Sequence, residues 1–122
     1  MDILEKSLEQ QINMTRKALS CKEGESELIG YLNPIIRSEG ENTANEWLLK
    51  KGISITDREK EEAVQEGWLS LPFALRKYEE KFELIDKGEN VEVHKITEYL
   101  PWLVRQAVVR HLDQNYRLET RG

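Results

Sequence analysis

The sequence predicts an all-α fold, a compact bundle of about five to six helices around a bent central helix pair at about 57–69 and 71–87. Three observations predict it. Val64, Trp68, Leu71, Leu75, Tyr78, Phe82 and Ile85 recur at alternating spacings of four and three, which places one apolar stripe along one helix face. Charged residues make up 34% of the chain and apolar residues 39%, the balance of a well-solvated helical protein. Only three Pro and seven Gly interrupt 122 residues, so little of the chain is obliged to be loop. That length suits a single helical domain, 1–122, able to bury a core without staples.

Residues 3–19 form the first expected helix, with Asp2 as N-cap and Leu4, Leu8, Ile12 and Leu19 near one face. CKEGES should break it. A second helix starts at Ser26 and carries Leu28, Ile29, Leu32, Ile35 and Ile36, and Pro34, lacking an amide, kinks it or ends its first half. After RSEGEN, a short helix from Thr43 to Lys51 aligns Ala44, Trp47 and Leu48 and stops at Gly52. Ile53, Ser54 and Ile55 read as an extended connector burying one isoleucine.

Thr56 followed by Glu59 is a capping box, the clearest helix start in the chain. It opens the central pair. Pro72 clashes with the carbonyl of Trp68 and Gly67 loosens the turn before it, so the seam should bend near 67–72, with Ser70 a candidate cap for its second half. Gly88 suits its terminator, and an extended link follows. The last helix runs from Thr97 or Leu100 to Leu118 with Pro101 in its first turn, aligning Leu100, Leu103, Val104, Ala107, Val108 and Leu112. The N- and C-terminal helices are expected to cover the seam.

The chemistry-bearing residue types are sparse. Cys21 is the sole cysteine, which excludes an intrachain disulfide and a cysteine-based zinc site, and no base is placed to activate it. His94 could meet Glu98 on one helical turn, but two ligands from one element leave a zinc site incomplete, so no metal is expected. His111 falls within the apolar stripe of the last helix and reads as a core-edge histidine. Glu59, Glu62 and Glu66, like Glu79, Glu80 and Glu83, sit among lysines on solvated faces, where ion pairing explains them better than acid–base work. No phosphate-cradling glycine loop is present. The expectation is a protein that is not an enzyme and needs no cofactor.

The charge is −5, with twelve acids against seven bases over residues 57–99 and four Arg against Asp113 and Glu119 over 100–122. The balance disfavours general affinity for nucleic acid. The acidic N-terminus lacks the basic start of a secretory signal and no apolar run reaches membrane-spanning length, so a cytoplasmic protein without membrane contact is expected. On the last helix Trp102, Arg105, Val109, Arg110, Tyr116 and Arg117 combine arginine with aromatics, the composition of an interaction surface. They are the expected partner-binding residues of a non-enzymatic protein-interaction module: a small acidic helical regulator, inhibitor, adaptor or assembly subunit. A homodimer is possible through any excess of apolar stripe. The alternative is a nucleic-acid-binding regulator using the Arg-bearing C-terminal helix.

Overall fold

The computed structural model describes residues 3–116. A short 3-10 turn, Ile3–Glu5, leads into five α-helices: α1 Leu8–Ser20, α2 Lys22–Lys51, α3 Asp57–Trp68, α4 Ser70–Asp86 and α5 Ile96–Asn115. The fold is an all-α bundle, with no strand among the described residues. Its bent pair is α3 and α4. Leu69 alone separates them, its N–H donating to the Glu66 carbonyl, and Pro72 occupies the first turn of α4, where an amide has no intrahelical partner to lose. Ser70 does not cap α4. It is buried inside the helix, Leu69 holds the cap position, and no side chain bonds the first amides.

The seam is buried in two directions. Val64 on α3 packs where α3 lies against α2 and α5, whereas Leu71, Tyr78 and Phe82 serve α4, which lies against α5 and α1. The long α2 therefore covers α3, the half for which the sequence names only the terminal helices. Seven core residues of α2 and α5 (Leu28, Leu32, Ile36, Leu100, Val104, Val108 and Leu112) are at most 1% exposed. Each such side chain contributes roughly 2 kcal/mol of transfer free energy.

Three expectations for the first half of the chain are corrected. α1 begins later than expected, at a capping box in which Ser7 Oγ accepts from the Gln10 N–H and the Gln10 side chain accepts from Ser7; Asp2 lies outside the described residues. Its fully buried residues are Gln11, Thr15 and Ala18; of the expected stripe, Ile12 and Leu19 pack half-buried against the core, whereas Leu4 and Leu8 face outward. The two helices expected at 26–36 and 43–51 are one continuous α2 that starts at Lys22.

The glycines read as breaks are places of close approach. A methyl on Gly40 would stand 3.2 Å from Val64 Cγ1, and one on Gly24 would stand 2.5 Å from the Lys17 carbonyl oxygen, so both let helices pack backbone to neighbour. Cys21 alone separates α1 from α2, and its Sγ accepts from the Gly24 N–H as the cap of α2. Pro34 and Gly30 both lie on the exposed side of α2. Pro34 cannot bond the Gly30 carbonyl, which belongs to that exposed side, while Leu28, Leu32 and Ile36 are buried. Pro101 likewise sits inside α5, because that helix starts at Ile96. The connector at 53–56, the capping box at Thr56 and Glu59, and the extended link before α5 are all as expected. Gly88 ends α4 with φ 90°, and the Glu89 N–H donates back to the Leu84 carbonyl.

Candidate interaction groove

The bend between α3 and α4 has a consequence for the surface. α4 leaves α3 at Leu69 and runs beside α5, and a groove of about 530 Å³ opens between the bend and α5. Gly67 allows α3 to approach α5 closely, since a methyl there would stand 2.8 Å from Val104 Cγ1 and something would have to shift. One wall carries Leu69 and Phe73; the other carries Tyr99, Trp102, Leu103 and Ala107. Leu69 is 67% exposed, Phe73 46% and Trp102 55%. A second, shallower hollow continues along α5 past Trp102, Gln106, Arg110 and Gln114.

The aromatic wall is anchored in the core. Trp102 stacks on Tyr99 with centroids 6.4 Å apart, Tyr99 meets Tyr78 edge-on at 6.0 Å, and Tyr78 lies 5.9 Å from Phe82, over which the Arg16 guanidinium sits at 4.2 Å. The Tyr78 hydroxyl donates to the His94 carbonyl at 2.6 Å, pinning the link before α5, and burial pushes its phenol far above the ordinary tyrosine range. The exposed rings are therefore held from behind by packed ones.

The charges at the groove differ in how far they are already engaged. Glu66 Oε1 lies 3.4 Å from His111 Nδ1, and Asp113 Oδ1 accepts from the Trp47 indole N–H at 2.9 Å. Lys77 Nζ stands 5.6 Å from the centre of the Phe73 ring and 3.7 Å from Glu80. Arg110 is exposed, lines both hollows and, among the described residues, has no ion pair or hydrogen bond.

The residues singled out on the last helix divide accordingly. Trp102 and Arg110 meet in the groove. Arg105 instead ties α5 to α2, its Nη2 2.8 Å from Glu46 and its Nη1 3.7 Å from Glu39, and these carboxylates raise its pKa above the ordinary value, the Glu46 hydrogen bond most of all. The Tyr116 hydroxyl donates to Glu59 Oε2 at 3.1 Å, tying the end of α5 to the start of α3. Val109 is half-buried against the core beside the second hollow, and Arg117 lies outside the described residues. The residues that sequence reasoning missed are Leu69, Phe73, Lys77 and Tyr99. Leu69 and Phe73 stand four apart and one or two positions off the seam, a short second apolar stripe that the longer one masks.

Of the remaining candidates for chemistry, His111 meets Glu66 at the groove, 3.4 Å apart. His94 lies 3.7 Å from Glu92 and is not paired with Glu98, His111 sits at the core edge, and no group of three or more metal-ligating side chains converges among the described residues. No described helix is long and apolar enough to cross a membrane. No protein-family model matches this chain, nor does any curated protein or solved structure.

Proposed function

We propose that this chain is a non-enzymatic protein-interaction module, a small acidic helical regulator or adaptor that works by seating a segment of a partner protein in the groove between α4 and α5. The observation that carries this reading is the convergence of Leu69, Phe73 and Trp102, three large apolar side chains exposed on facing walls of one hollow. Scattered exposed apolar residues are ordinary, but apolar side chains gathered in a concave patch with a polar rim mark recognition surfaces. The stacked support behind Trp102 favours the same reading, because a rigid aromatic loses little freedom when it binds.

Site-specific photo-crosslinking in the host cell tests it. A benzophenone amino acid at Phe73 should give a discrete adduct with a partner, while the same probe at Leu49, 86% exposed at the far end of α2, should give none. Equal labelling from both positions would remove the groove from the account.

A further inference from the structure

Resting on the reading of the groove as a docking surface, the geometry points to its occupant: an acidic protein segment carrying at least one bulky apolar anchor. The argument is charge complementarity. Two carboxylates border the hollows, and each already faces an internal partner: Glu66 faces His111 at 3.4 Å, and Asp113 accepts from Trp47. Arg105, the second guanidinium of the region, is held by Glu46. Arg110 is different. It projects where the two hollows join and has no carboxylate among the described residues. Lys77 stands on the opposite wall, already paired with Glu80 at 3.7 Å and set over the Phe73 ring. In a chain of net charge −5, the charged side chain at this groove left without an ion pair or side-chain hydrogen bond among the described residues is therefore a cation, Arg110.

A carboxylate brought to Arg110 would form a charge-assisted bond with no internal pair to break first. In the same hollow as Arg110, Leu69, Phe73 and Trp102 offer an apolar slot for the anchor. Nucleic acid fits less well, although an aromatic pair beside an arginine can stack a base. Its affinity rests on neutralising many phosphates, and two cations on a chain of −5 neutralise few. A segment with a few carboxylates gains most of its affinity from apolar burial, so the same repulsion costs it less.

Selection from a displayed library of random peptides tests the inference. Wild type should enrich peptides with Asp and Glu flanking Trp, Phe or Leu. Their binding should be lost in Trp102→Glu and in Phe73→Ser, and weakened about tenfold in Arg110→Glu, with unchanged helicity and melting confirming that these variants fold. Groove-dependent peptides without an acidic excess, or insensitive to Arg110→Glu, would overturn the acidic occupant and leave the groove reading intact. Absence of any peptide sensitive to Trp102→Glu would overturn both. So would self-association that Trp102→Glu abolishes, which gives the groove to a second copy, or tighter binding of a labelled single-stranded oligonucleotide at low salt.

Discussion

Two stretches of α5 were assembled under opposite rules. At its start, Gln11 reaches across from α1, 1% exposed, and every polar atom of its amide is used: Nε2 donates to the Ile3 and Lys6 carbonyls, and Oε1 accepts from the Thr97 N–H and hydroxyl. Further along, the side of α5 that faces α4 leaves Trp102 standing in solvent and Arg110 without an internal partner among the described residues. The start of α5 is closed and polar-satisfied; beyond it, from Trp102 to Arg110, the side facing α4 is open. The same sequence that satisfies a buried glutamine on four sides gathers three exposed large apolar residues, Leu69, Phe73 and Trp102, in one hollow. A stability role is expected where polar atoms are buried and matched, and a recognition role where apolar ones are gathered and bare.

The largest expected effect lies at the closed stretch. Gln11→Leu leaves the buried Thr97 N–H and hydroxyl without Oε1 and takes a donor from the Ile3 and Lys6 carbonyls, and should cost about 3 kcal/mol or more in urea unfolding. A loss under about 1 kcal/mol would break the contrast, because it would show the clamp to be ornamental. Next comes Gly67→Ala, whose methyl would press on Val104 Cγ1 and should cost about 2 kcal/mol while weakening peptide binding at the groove. Adding Val104→Ala should recover part of both losses. Strict additivity in that double-mutant cycle would show that the contact is not what causes the losses.

Smaller still is the expected stability change at the open stretch. Phe73→Ser and Trp102→Ser should each shift unfolding by less than about 1 kcal/mol, because both rings are half in water already, and should remove partner binding altogether. Variants that melt early while still binding would reverse the assignment of the two stretches.

The smallest effect belongs to the α3 capping box. The Thr56 N–H and hydroxyl hold the Glu59 carboxyl below its ordinary range. A carboxyl whose folded pKa lies below its unfolded value stabilises the fold above the unfolded pKa, about 4.3, and that contribution is lost as pH falls through the folded value. Glu59→Gln keeps the oxygen acceptor for Thr56 and should flatten this part of the acid-unfolding profile. An unchanged profile would assign the acid sensitivity elsewhere, for which Glu61, held low by its bond to Arg37, is the next candidate.

How much of this was legible in the sequence follows from which interactions are local. The seam, the capping box at Thr56, the bend at Pro72 and the stop at Gly88 are written in residues close along the chain, and all four are found. Gly24 and Gly40 misled because glycine punctuates a chain and also permits close packing, and only the neighbour, Lys17 or Val64, distinguishes the two. The inward face of α1 was legible only at Ile12 and Leu19, because its centre is polar. Gln11 and Thr15 carry no hydrophobic signal, and their burial depends on Thr97, 86 residues away, and on the Gln11 carbonyl that Thr15 bonds. At the groove, Trp102 and Arg110 were visible as an aromatic and a cation on one helix, but Arg105 and Tyr116 looked equivalent until Glu46 and Glu59 took them. Leu69 and Phe73 join the site only through the bend that turns α4 alongside α5.

The central claim is that the surface between α4 and α5 is where this protein meets its partner. Amide chemical-shift mapping tests it directly, with labelled protein titrated against the tightest peptide selected on the wild type. The account predicts that perturbations concentrate in Leu69–Lys77 and Tyr99–Gln114 and leave α1 and the first half of α2 unmoved. Perturbations centred on α1 and α2, with the groove silent, would contradict it.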